Sequence, residues 1–186
     1  TLPCLVQDTF PMQTSLLVSI VGPDRPGLVE QLSRVVTDAG GNWEGSRLIK
    51  LGGQFAGIVQ VIAPEGSVAT LPGNLEQLSD AGLTVSVIHS GESGASDSPR
   101  GQVETLEVVG QDRSGIVAAI SETMAKENVN VIELATDCLE APWSGERLFH
   151  TTATVALPEG LAIESLIGKI EEIAGDLMVE LQKESG

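Results

Sequence analysis

The 186-residue sequence predicts an α+β protein made of two tandem βαββαβ modules, each an antiparallel sheet with its helices on one face. Three observations predict it. A nine-residue motif occurs twice at a fixed spacing. A polar Gly/Ser-rich stretch separates the two occurrences. The same order of strand-like and helix-like patterns follows each of them.

The motif is Val21-Gly22-Pro23-Asp24-Arg25-Pro26-Gly27-Leu28-Val29, echoed by Val109-Gly110-Gln111-Asp112-Arg113-Ser114-Gly115-Ile116-Val117. The spacing is 88 residues, from Gly22 to Gly110, and Asn42 and Asn130 keep the same register. Duplication of one module explains this. The connector between His89 and Gly101 is small and polar, without apolar periodicity. The expected organisation is a first domain at 14–90, a linker at 91–101 and a second domain at 102–183. Modules this small bury a low fraction of their surface, so packing of the halves or dimerisation is expected.

Within the first half, the β-branched run Ser15 to Val21 reads as a buried strand. The Gly22 to Gly27 segment breaks it. Leu28, Leu32, Val35, Val36 and Ala39 then fall on one helical face, and Gly40-Gly41 stops the helix. Trp43 to Leu51 and Phe55 to Ala63 read as strands joined at Gly52-Gly53, a hairpin signal. A second helix is expected through Leu75, Leu78 and Ala81, with Pro72-Gly73 obscuring its start. Thr84 to Ile88 is the fourth strand. The second half repeats the order: strand Val103 to Val109, helix through Ile116, Val117, Ile120 and Met124, and strands Val131 to Cys138 and Leu148 to Leu157. A helix through Ile163, Leu166, Ile167, Ile170 and Ile173 and a strand Leu177 to Leu181 complete it. This order is that of the ferredoxin-like split unit.

Composition limits the function. Hydrophobic residues are 41% of the chain but aromatics only 3%, so the cores must be aliphatic. The net charge of −16 argues against direct contact with nucleic acid or an anionic membrane. It leaves open action through a protein partner with a basic surface. Cys4 and Cys138 form no CxxC spacing, which points to free thiols and a reducing compartment, expected to be the cytoplasm. The first residues lack a basic start and an apolar run, so they are not a secretory signal; an organellar address upstream of residue 1 is left open.

The repeated turn carries the chemistry. Gly27 and Gly115 stand where a helix begins, with free N–H groups and the positive end of the helix dipole. Glycine allows close approach, and a small carboxylate can bind such N–H groups. An Asn amide both donates and accepts. Asp24, Arg25, Gly27, Leu28 and Asn42, with Asp112, Arg113, Gly115, Ile116 and Asn130, are therefore the candidate ligand-binding residues, suited to a free amino acid. Plain structural roles stand beside this. Asp24 and Asp112 can cap the helix or its turn, Arg25 and Arg113 can pair with acidic neighbours, and Asn42 and Asn130 can satisfy turn geometry.

The pattern, Asp24-Arg25-Pro26-Gly27 with Asn42 and Asp112-Arg113-Ser114-Gly115 with Asn130, resembles the ACT domain, a small-molecule-sensing module of this βαββαβ order. The resemblance spans about Thr14 to Gln182. The tandem arrangement, with Glu140-Ala141-Pro142-Trp143-Ser144-Gly145-Glu146 in the second hairpin connection, is similar to the glycine cleavage system transcriptional repressors. The resemblance implies a homodimer that senses a small amino acid such as glycine and acts through a transcriptional activator protein rather than on DNA. The second hairpin connection is the longer, so Pro142, Trp143, Ser144 and Gly145 are the candidate partner-binding residues. Ser114 replaces the second Pro of the first motif, so the copies are not equivalent. The alternative reading is a ligand-independent interaction scaffold.

Catalytic readings find little support. His89 and His150 belong to no metal or nucleophile motif. Glu171-Glu172 reads as a solvated acidic pair. The glycine spacings lack the Lys-Ser/Thr of a phosphate loop. Trp43 reads as packing. No catalytic residue, metal site or cofactor is therefore expected, and the protein is not expected to be an enzyme.

Overall fold

The computed structural model describes residues 13–76, 78, 82–90, 101–141 and 145–182, and the chain divides into two compact units. The first contains β1 (Gln13–Pro23), α1 (Leu28–Asp38), β2 (Asn42–Leu51), β3 (Gln54–Pro64), α2 (Glu65–Val68), α3 (Leu71–Glu76) and β4 (Thr84–Ser90). The second contains β5 (Gln102–Gln111), α4 (Ile116–Lys126), β6 (Asn130–Glu140), β7 (Arg147–Leu157), α5 (Ile163–Glu171) and β8 (Met178–Leu181). Each has a four-stranded sheet, in the orders β2-β3-β1-β4 and β6-β7-β5-β8, with every pairing antiparallel. The expected α+β architecture is the one observed.

Period-two alternation places the cores. Leu16, Val18 and Ile20 of β1 and Val59, Val61 and Ala63 of β3 are buried. Leu28, Leu32 and Val36 of α1 lie over them at helical spacing, with Leu71, Leu75 and Leu83. The second core repeats this with Leu106 and Val108, Ile116, Ile120 and Met124, Ala153 and Val155, and Leu166 and Ile170. In β7 the apolar set Ala153, Val155 and Leu157 lies on the helix side, while Thr152 and Thr154 alternate with it toward the open face.

The Gly52-Gly53 hairpin forms with φ values of 58° and 77°, the left-handed pair that a tight two-residue turn requires. Trp43 is half-buried against the first core. In the first unit a short α2 precedes α3, which contains Pro72-Gly73 and buries Leu75 as expected of the second helix. Proline is tolerated there because first-turn N–H groups have no helical partner to lose. Of the residues expected in that helix, Ala81 lies outside the described residues, as do Cys4, Pro142, Trp143 and Ser144. Cys138 is a free, exposed thiol. No helix among the described residues is long and apolar enough to cross a membrane.

Leu32 and Leu166 are wholly buried, one in each core. Leu32→Ala or Leu166→Ala is expected to cost its own module about 2–5 kcal/mol, measured by urea unfolding.

Candidate functional site

Both repeated turns lie at the end of the sheet where the first strand of each module stops. There Gly22 and Gly110 are crossed closely by the chain leading into the last strand. A Cβ on Gly22 would stand 2.7 Å from Gly82 O and 2.8 Å from Leu83 Cδ2; one on Gly110 would stand 2.5 Å from Leu177 Cδ2. Leu83 and Leu177 are buried, so the crossing anchors the core at this end. One backbone bond then ties each turn to the adjacent hairpin: Asp24 N donates to Gly53 O at 3.0 Å, and Asp112 N donates to Arg147 O at 2.9 Å.

The helices start at Gly27 and Gly115, whose φ values of 89° and 86° are left-handed, and neither helix has a side-chain cap. The capping role open to Asp24 and Asp112 is thereby excluded. The first helical bonds run from Gln31 N to Gly27 O and from Ala119 N to Gly115 O, 2.9 Å each. The N–H groups of the first turn have no acceptor further back in the helix. Leu28 and Ile116 turn their side chains into the cores. They contribute backbone, not side chains, to the turn.

The aspartates reach across the hairpin instead. Asp24 pairs with Lys50. Asp112 Oδ2 lies 3.4 Å from Arg147 Nε. The arginines pair with neither motif aspartate. Arg25 Nη2 donates to Gln31 Oε1 at 3.4 Å, a long contact to an uncharged acceptor. Arg113 Nη1 donates to Asp176 Oδ1 at 2.8 Å, and Gln111 N donates to Asp176 Oδ2 at 2.8 Å. The Arg113 guanidinium, and after it the Gln111 amide, hold the Asp176 carboxyl below the usual carboxylate range. Arg113 Nη2 is shielded from solvent and has no partner among the described residues.

Asn42 and Asn130 open β2 and β6 and stand opposite Ile62 and Ala156. The turns lie by the other ends of β3 and β7, where Pro23 faces Gln54 and Gln111 faces Leu148. Each Asn is thus about eight strand positions, roughly 26 Å, from the turn of its own module. The structure does not bring turn and Asn together within a module. Asn42 Nδ2 donates to Glu44. Asn130 is exposed.

Lys50, Arg147 and Asp176 were missed by sequence reasoning. Lys50 and Arg147 flank the hairpin tips, a position that pairing the predicted strands would have revealed. Asp176 lies 63 residues from Arg113 and carries no local signal. On the open face of the second sheet, His150 Nε2 and Glu107 Oε1 are 2.7 Å apart, and Gln182 donates to the other Glu107 oxygen at 3.3 Å. The His150 contact first, then Gln182, lowers the Glu107 carboxyl. Among the described residues no group of His, Cys, Asp and Glu is placed to hold a metal. Gly145, the described member of the expected partner loop, is left-handed at φ 69° in the connection after β6.

Residues 14–87 match the family profile described as the ACT domain. No curated protein sequence matches the chain. Among solved structures, an unknown protein from Galdieria sulphuraria is 32% identical, with a TM-score of 0.78 over 92% of this chain and 98% of that one. A protein provisionally named a glycine cleavage system transcriptional repressor is 18% identical, with a TM-score of 0.67 over 92% of this chain and 99% of that one. The latter likeness is one of fold.

Two predictions follow from the turn. An L-residue at a left-handed position costs about 1–2 kcal/mol, so Gly27→Ala and Gly115→Ala are each expected to lower unfolding free energy by that amount in denaturant titrations. Asp176 is more acidic folded than unfolded. Its contribution to stability is therefore present above the unfolded pKa and disappears as pH falls through the folded one. Asp176→Asn should lower the thermal midpoint at neutral pH, and the two proteins should converge well below the usual carboxylate range.

Proposed function

The first module matches the ACT domain family and the second repeats its fold, and from that premise we propose that the chain is a tandem pair of ACT modules, an amino-acid-sensing regulator working through protein contact rather than by binding DNA. The observation that carries this reading is the doubled turn. Each copy presents a helix start behind a left-handed glycine, beside an arginine, at the end of a sheet, and in the second copy the Ile116 N–H already donates to Arg113 O. A carboxylate is the natural occupant of such a place.

The separation of turn and Asn adds a condition. One module supplies half a site. Two modules laid edge to edge with antiparallel strands bring the turn of one toward the Asn of the other. The proposed site therefore lies between two copies of the chain, and dimerisation is part of ligand recognition. This agrees with the homodimer that the family resemblance implies.

The finer reading is a glycine-responsive repressor of the glycine cleavage type, handing its signal to a transcriptional activator. The fold of the provisionally named repressor supports it. So does the net charge of −16, which disfavours DNA as the direct target. The connection after β6, containing Pro142, Trp143, Ser144 and Gly145, is the proposed contact with the activator. The exposed Cys138 thiol suits a reducing compartment such as the cytoplasm. Domain limits of 14–90 and 102–183 follow the proposal.

The scaffold reading draws on β6, which is exposed along its whole length from Asn130 to Glu140 and includes Val131, Ile132, Leu134 and Leu139. An apolar edge strand is a template for another strand. Calorimetric titration with glycine, serine and the other amino acids separates the two. Saturable heat, weakened by Asn42→Ala and Asn130→Ala, is expected of a sensor. Stable self-association with neither heat nor a thermal shift for any amino acid would leave the scaffold.

A further inference from the structure

The two turns differ in charge. In the first, Lys50 compensates Asp24, and Arg25 meets no carboxylate among the described residues. In the second, Arg147 compensates Asp112 and Asp176 compensates Arg113. The first turn keeps one uncompensated positive charge among these groups, whereas the second has none.

Two positions cause the difference. Gly22 is crossed by Gly82 and Leu83, and Gly110 by Asp176 and Leu177, so Gly82 stands where Asp176 stands. Gly82 has no side chain to offer. The acceptor's second partner is changed as well: Asp176 Oδ2 takes the Gln111 N–H, but Pro23 holds that place in the first module and has no N–H. The first module has therefore lost both halves of the contact.

In the second module a carboxylate sits with one oxygen on a guanidinium and the other on a backbone N–H, at 2.8 Å each. The carboxylate of a free amino acid makes contacts of the same kind. We propose that Asp176 fills, from within the chain, the carboxylate seat of the second turn, so that a free amino acid binds at the Arg25 turn alone, one molecule per chain. This rests on the amino-acid-sensing reading.

Physical chemistry favours the internal occupant. A tethered carboxylate acts at a high effective concentration, which a dissolved amino acid must exceed to displace it. Arg113 also presents no open fork, since Nη1 is engaged and Nη2 is shielded from solvent. Among the described residues, the only contact a ligand displaces at Arg25 is the long one, 3.4 Å, to the uncharged Gln31 Oε1.

The test is calorimetric titration of the full chain with the set of twenty amino acids, using wild type, Arg25→Gln and Asp176→Ala, each checked for native circular dichroism. Asp176→Gly, which copies Gly82, replaces the alanine variant if that one does not fold. We expect one molecule per chain for wild type, binding weakened at least about tenfold by Arg25→Gln, and a second molecule per chain once Asp176 is removed. Two molecules per wild-type chain, unchanged binding in Arg25→Gln, or a single molecule in a folded Asp176→Ala or Asp176→Gly protein would each overturn the assignment while leaving amino-acid sensing intact. Absence of heat and of any thermal shift in every variant would instead remove the sensing reading, and the assignment with it. A ligand-free measurement accompanies these. Arg113→Gln and Asp176→Asn should each lower the thermal midpoint, with no further loss in the double variant, whereas additive effects would show that no Arg113–Asp176 contact fills the seat.

Discussion

Each module is organised around a single close approach, the buried leucine of the last strand's lead-in lying over a glycine at the end of the first strand. Leu83 and Leu177 need that space, and a methyl group on Gly22 or Gly110 would remove it. With the crossing fixed, the chain must turn sharply into the helix, and a left-handed glycine makes the turn. One backbone bond to the hairpin completes it. All three constraints act on the backbone. The backbone path of the turn consequently does not depend on which ion pairs the Asp and Arg side chains of the motif make. This is why the same turn carries different ion pairs in the two modules without changing shape.

Features governed by local periodicity were legible in the sequence. The stripe of Leu28, Leu32 and Val36 and the alternation of Leu16, Val18 and Ile20 report which face is buried, because helix and strand geometry repeat at short fixed intervals. Gly52-Gly53 was equally legible, since few residue pairs tolerate that turn. Pro72-Gly73 obscured the start of α3 because breakers inside a helix and at its first turn look alike in sequence. Lys50 with Asp24 and Asp176 with Arg113 were out of reach for another reason. Such pairs are set by sheet register and by the path of a connecting loop, neither of which leaves a local pattern. The candidate site suffered from the same blindness. Gly27 and Asn42 are close in the motif but stand at opposite ends of one sheet, because the helix between them returns the chain to its starting end.

On the proposed reading, that geometry links sensing to assembly. A ligand held by the turn of one module and the Asn of another binds only the paired state. Its affinity then adds to the stability of the pair by mass action. The exposed β6 edge and the partly filled β2 edge offer unequal surfaces for such pairing. Trp43 and Leu48 pack down on the first core, whereas Val131 at the corresponding place in the second module remains exposed. The first module therefore carries a firmer wall at the Asn42 end of its sheet.

Overall charge bears on this less than the numbers suggest. A chain of net charge −16 repels a free carboxylate at long range, but at physiological salt that repulsion decays over about 8 Å. Within that distance the few groups around each turn decide the outcome. At the second turn the acid is built in, and its partners are spent on it. At the first turn Gly82 supplies no carboxylate and Pro23 no N–H, and Lys50 already answers Asp24, so among the described groups Arg25 is the cation left for a ligand. On the proposed assignment the two turns are copies of one anion seat, and the residues at two backbone-adjacent positions make one a structural clasp and leave the other open.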